Sequence, residues 1–152
     1  MAQKFWLMKV EPSAYTIDRL ERDTTTSWEG VRNYQARNFM RDGMKKGDKI
    51  FFYHSSCPEP GIVGIAQVVR EAYPDHTAFE RKHKYYDPKS DPDNPTWMMV
   101  DVKFVRQFKR VLSLEELKAE PKLDGFTLLK RGNRLSVMPV SDVHWDVVLG
   151  LE

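Results

Sequence analysis

Bulky apolar residues are grouped along this chain in runs that predict strands, separated by capped stretches that predict short helices. Residues 4–10 (KFWLMKV) form a first strand. The runs Ile50–His54 and Ile62–Arg70 are almost continuously apolar, which predicts strands buried on both faces or a closing barrel. They flank the loop Ser55–Gly61, and Lys46-Gly47-Asp48 is a turn. From Trp97 to Phe108, Val100, Val102 and Phe104 alternate with Asp101, Lys103 and Val105, the period of a long strand. Arg134–Val137 predicts a further short strand. Thr16 can cap a short helix that buries Ile17 and Leu20, with Asp18 at its positive end. Asn33 can cap a second helix running to about Asp42 and stopping at Gly43. That helix puts Ala36, Phe39 and Met40 on one face and Tyr34, Arg37 and Arg41 on another. Ser113-Leu114-Glu115-Glu116 is a capping-box pattern, and Ser141 starts a closing helix that ends at Gly150. Residues 23–27 read as a loop delivering Trp28, and residues 85–95, rich in proline and aspartate, as a long surface loop. Strands with short helices at their ends and crossovers predict an α+β fold around a small barrel.

Composition narrows the class. A chain of 152 residues, 41% hydrophobic and 30% charged, is globular and long enough for one core without metals or disulfides. A single domain is expected over residues 1–152. Cys57 is the only cysteine, which excludes a disulfide framework and suits a reducing compartment. The net charge of +2 does not mark a polyanion binder, so a nucleic-acid surface has to come from local clustering. The first twelve residues have no long apolar run and no small-residue cleavage site, so neither a signal peptide nor a membrane span is expected. The expected location is the cytoplasm, or the nucleus if the cell is eukaryotic.

Catalytic patterns are weak. Cys57 follows His54 by three residues, but it lies in a loop before Pro58 without a nucleophile turn. The four histidines and one cysteine have no zinc spacing, so no metal is expected. Gly61 to Gly64 lies in a strand with no helix behind it, and reads as glycines that let a barrel strand bend. The segment Trp28 to Asn38 (WEGVRNYQARN) is richer, because it combines an aromatic, amides and two arginines at a loop-to-helix junction. Nucleobases call for that set: a face to stack on, amides for the polar edge and guanidinium groups for phosphate. Each part alone fits equally a core tryptophan, a helix cap at Asn33, and solvated arginines at 37 and 41. Tyr53-His54-Ser55-Ser56 ends an apolar strand where side chains pass from core to rim. The runs 81–86 and 130–134, the latter beside Ser136, are locally basic and could follow a phosphate backbone.

The strings FWLMKVEP (5–12), WEGVRNYQARNFM (28–40), FFYHSS (51–56), GIVGIAQVV (61–69) and RLSVMPV (134–140), in this order, resemble the EVE-domain family. The resemblance implies a PUA-like fold, a mixed β pseudo-barrel with flanking short helices, distantly related to YTH domains. It also implies a non-catalytic module that takes a flipped, modified base into an aromatic pocket, with 5-methylcytosine or a derivative in DNA as leading candidate. DNA is favoured over RNA as partner, and no cofactor, membrane or obligate protein partner is implied. By this resemblance Trp28 is the wall of a base cage and Asn33, Ser55 and Ser56 lie at its polar edge. Lys9, Glu11, Tyr53, His54 and Ser136 share the mouth, and Arg32, Arg37 and Arg134, with Lys9, hold phosphates. Trp97 could add a second wall, although no motif supports it. Relatives often carry Ser at the position of Val10 and Asn at that of Ser56, so polar capacity is lower here. The chain resembles a bare, bacterial-type form of the family. A small hydrolase using Cys57, His54, Glu11 and Lys9, a modified-RNA reader and a free-nucleotide pocket stand as alternatives.

Overall fold

The computed structural model describes residues 4–152; the first three residues of the expected 1–152 domain lie outside them. Six strands form one mixed sheet: β1 (Phe5–Val10), β2 (Thr25–Trp28), β3 (Lys49–His54), β4 (Gly61–Pro74), β5 (Met98–Ser113) and β6 (Val137–Val140). Their spatial order is β2-β5-β4-β3-β1-β6. β1 runs parallel to β3, and the other neighbours are antiparallel. Four α-helices decorate the sheet: α1 (Ile17–Asp23), α2 (Tyr34–Asn38), α3 (Leu114–Lys118) and α4 (Asp142–Leu151). The expected PUA-like mixed β pseudo-barrel with short flanking helices is the observed architecture.

Side-chain alternation sends each central strand to two cores. Met8, Ile50 and Phe52 enter one cluster with Ile17, Trp28, Val100 and Val102. Leu7, Phe51 and Tyr53 enter the other with Phe126, Trp145 and Val148. This is why β3 and β4 read as nearly unbroken apolar runs. The sheet also curls. β2 and β3 are three steps apart in strand order, about 14 Å in a flat sheet, yet the Trp28 and Phe52 rings lie edge to face at 5.5 Å. Four register shifts along β4 accompany the curl. Gly64 sits at one of them, where a Cβ would fall 2.6 Å from the Arg106 carbonyl oxygen, so only glycine admits that approach.

The caps fall where the sequence puts them: Thr16, Asn33, Ser113 and Ser141 each accept a backbone N–H from the first turn that follows. β4 and β5 run on to Pro74 and Ser113, past the expected Arg70 and Phe108, and three further segments are organised differently. The segment read as a loop at 23–27 contains β2, because Thr25 to Trp28 pair with β5. The second helix is α only to Asn38, and Phe39–Gly43 is a π-turn closed by Met44 N–H donating to Phe39 O. That turn brings Phe39 and the bare Cα of Gly43 onto the Trp6 indole. The last strand begins at Val137, not Arg134, because the Asn133 side chain accepts from Leu135 N–H and holds the lead-in as a turn. Among the described residues no helix is long and apolar enough to cross a membrane.

Candidate functional site

Three adjacent chain ends create one wall of a cleft. Because β1 and β3 are parallel with Lys9 opposite Tyr53 and Val10 opposite His54, both leave the sheet at the same edge. Ser55 N–H donates to Val10 O (2.9 Å), and on the other side of β1, Lys9 N–H donates to Ser136 O (2.8 Å). Ser55, Lys9 and Ser136 are thereby set side by side by backbone bonds. Ser56 adopts a left-handed conformation (φ 54°), which turns the chain at the rim. The Lys9 ammonium lies 5.7 Å from the centre of the Tyr53 ring, and burial lowers its pKa.

The facing wall is made of loops. Trp28, at the end of β2, is 8% exposed and forms the floor. Gly30 follows with φ +85°, and any Cβ there would overlap the Tyr85 ring, which lies flat against it. Tyr85 is held by Arg32, whose Nε and Nη2 donate to the Tyr85 carbonyl at 3.2 and 2.7 Å. The guanidinium lies between the Tyr85 and Trp97 rings, 5.5 and 5.4 Å from their centres. Its Nη1 donates to buried Asp75 at 2.9 Å, and Asp75 also accepts from Gly30 N–H (2.8 Å) and from Thr77. Burial alone would raise the Asp75 pKa; the bonds from Thr77, Gly30 and Arg32 outweigh it and hold the carboxyl below its ordinary value.

Between these walls lies a cleft of about 450 Å³, lined by Lys9, Glu11, Trp28, Ser55, Ser56, Tyr85, Arg134 and Ser136 among others. A second compartment of about 290 Å³ adjoins it through Val10, Ala14, Trp28, Glu29, Lys84 and Tyr85. Aromatic faces, three hydroxyls and three cations (Lys9, Lys84, Arg134) converge on one opening. Chemically this can stack a flat ring, hydrogen-bond its edge and hold an anion at the rim.

Five residues expected at the site lie elsewhere. Asn33 is the cap of α2, its Oδ1 accepting from Ala36 N–H. Tyr53 is buried in the second core beneath Lys9 and does not line the cleft, and burial pushes its pKa to about 12. His54 caps α1: its Nε2 accepts from Ile17 N–H (3.2 Å), and burial lowers its pKa, which keeps the ring a neutral acceptor. Arg32 is spent on Asp75 and Tyr85 rather than on phosphate. Arg37 donates to Thr96 O and to the Asn38 side chain. Trp97 is no second wall, since it is buried under Tyr34 and donates its indole N–H to Asp87. The Cys57–His54 dyad is not assembled either, because the Cys57 thiol meets the His54 carbonyl and not the ring. Among the described residues no group of three His, Cys, Asp or Glu could hold a metal ion.

The EVE domain family model matches residues 4–151. The chain belongs to the EVE-domain family. Human thymocyte nuclear protein 1 is 48% identical to it, over 97% of this chain and 73% of that protein. A Pseudomonas putida crystal structure superposes with a TM-score of 0.94 at 50% identity, covering 97% of this chain and 98% of that one. The crystal structure of human THYN1 in complex with DNA containing 5-methylcytosine superposes with a TM-score of 0.93 at 46% identity, covering 98% and 97%.

In this EVE domain Glu29 lies inside the segment singled out from sequence but without an assigned role, and the cleft residues missed from sequence include His83, Lys84 and Tyr85. The last three lie in the run Arg81–Tyr86, read above for its charge alone. The usable signal was the pair of tyrosines within that basic run, since aromatics among cations suit a stacking surface.

Proposed function

We propose that this EVE domain is a non-catalytic reader that draws one base out of a DNA stack into the Trp28–Tyr85 cleft, with 5-methylcytosine or a derivative as the base. The observation that carries the reading is the cleft itself: two aromatic side chains, three serines and three rim cations around one opening. Its volume, about 450 Å³, falls within the ordinary range of small-ligand pockets. The likeness to human THYN1, solved with 5-methylcytosine-containing DNA, supports the choice of ligand.

The energetics are compatible. Extruding a base costs a few kcal/mol, and stacking on an aromatic returns about 1–3 kcal/mol. Val10 and Leu135 give the cleft apolar lining, and a methyl group buried there gains about 0.8 kcal/mol. Ser55, Ser56 and Ser136 supply hydroxyls for the polar edge, while Arg134, Lys9 and Lys84 face the flanking phosphates. No step requires a covalent bond to be made or broken. The work is placed in the cytoplasm, or in the nucleus of a eukaryotic cell.

The test is a titration of duplexes carrying cytosine, 5-methylcytosine or 5-hydroxymethylcytosine at one position, at fixed salt. Tighter binding of a modified duplex is expected. Equal affinities that fall identically with salt would mean that only the backbone is bound, and the reading would be abandoned.

A further inference from the structure

Glu29 is an anomaly in a cleft built for a polyanion. It lines both compartments and so sits at their junction. Of the other acidic side chains near the cleft, Asp75 takes Arg32, Gly30 and Thr77, and Asp87 takes the Trp97 indole and Lys89 N–H; Glu11 also lines the cleft but is exposed at its rim, whereas Glu29 is partly buried at the junction. Glu29 has only His83, whose Nε2 stands 3.9 Å from its Oε1, beyond hydrogen-bond range. The other imidazole nitrogen, Nδ1, accepts from Tyr85 N–H at 3.1 Å, so the ring is braced by the cleft wall. Among the described residues no donor lies within hydrogen-bond distance of the Glu29 carboxylate. It therefore faces the cleft with free acceptor capacity, and it repels any phosphate placed there.

Such a group is compatible with an inserted base only if the base offers a donor at that point. Cytosine and its 5-substituted forms carry an exocyclic amine at C4; thymine and uracil carry a carbonyl oxygen in its place. The distinction matters because 5-methylcytosine and thymine share the same C5 methyl. Apolar lining alone cannot tell them apart. A carboxylate can, by bonding the amine and repelling the carbonyl.

We infer that Glu29 is the specificity-determining residue of the cleft, accepting from the exocyclic amine of the inserted base and excluding thymine and uracil. This rests on the base-reading function proposed above. The experiment compares oligonucleotide duplexes in which 5-methylcytosine, cytosine or thymine stands opposite an abasic site, so that none is paired. Wild-type protein should bind 5-methylcytosine at least tenfold more tightly than thymine. Glu29→Gln, whose amide both donates and accepts, should narrow that ratio below threefold, keep the preference for 5-methylcytosine over cytosine, and melt at the wild-type temperature. A wild-type ratio near one, a measurement that needs no variant, overturns the inference, and so does a tenfold ratio that survives in a folded Glu29→Gln protein. Failure to bind any of the three bases better than a duplex lacking a base there overturns the reader function instead.

Discussion

The two walls of the cleft are built by different means. The wall of Lys9, Ser55 and Ser136 is a by-product of strand pairing, fixed by main-chain bonds to Val10 and Lys9 that no side-chain substitution removes. The wall of Gly30 and Tyr85 is held by side chains that reach across 43 to 53 residues of sequence, above all the Arg32–Asp75 pair and its bonds to Tyr85 and Gly30. The first wall should be robust and the second fragile. Stacking surface is thus assigned to the wall that depends on a few partners, and polar edge contacts to the wall that does not.

The comparison is most directly broken at Asp75. Asp75→Ala leaves the Arg32 guanidinium without its buried counter-ion and Gly30 N–H without an acceptor. Removing one partner of such a pair costs about 3–5 kcal/mol, which for a chain of this size lowers the melting temperature by on the order of 10 °C. Urea unfolding should show it, and a loss under about 1 kcal/mol, typical of surface substitutions, would mean the loop wall is held by something else. The pH dependence follows from the same contacts. Because the folded carboxyl titrates below its ordinary value, its contribution is present above about pH 4 and is lost as pH falls through the folded pKa. Asp75→Asn should therefore lose less stability than wild type between neutral pH and pH 3.

The same division explains what could be read from the chain. Period-2 apolar runs reveal strands, while it is the family resemblance, not the pattern, that puts Lys9, Ser55 and Ser136 at one mouth. Caps such as Asn33 and Ser141 were legible because their bonds are local. The loop wall was not, since nothing in the local pattern says that Arg32 turns inward to Asp75 instead of outward to phosphate. Tyr53 and His54 failed for a simpler reason. Adjacent strand residues face opposite ways, and the run Tyr53-His54-Ser55-Ser56 does not show where the strand stops and the rim begins. β2 was missed because Thr25 to Ser27 carry no apolar alternation; pairing with β5 overrides composition there.

Tyr85 separates binding from stability. It is only partly buried, so Tyr85→Ala should shift the melting temperature little. Loss of a stacking face costs about 1–3 kcal/mol per base, so affinity for DNA containing 5-methylcytosine should fall by roughly tenfold or more by fluorescence anisotropy. Ser136→Ala on the opposite wall is expected to cost less than about threefold, since neighbouring serines can serve the same edge. Equal losses on the two walls would contradict the assignment of stacking to one and edge contacts to the other.

Lys9 offers the smallest effect and the finest discrimination. Its ammonium is partly buried beside Tyr53, and desolvation lowers its pKa, so the charged form is disfavoured in the folded state. The unfolded chain then binds the proton more readily, and stability rises with pH as the solution passes from the folded pKa toward the unfolded one. Lys9→Met keeps the apolar stem and removes the charge. It should raise stability at neutral pH by no more than about 1 kcal/mol, while reducing the slope of log affinity against log salt by about 0.9, the share of one phosphate contact. A more stable variant with weaker, less salt-sensitive binding identifies Lys9 as a charge kept for the ligand at the expense of the fold. An unchanged salt slope would instead place the phosphate contacts on Arg134 and Lys84, and leave the sheet wall with its serines alone.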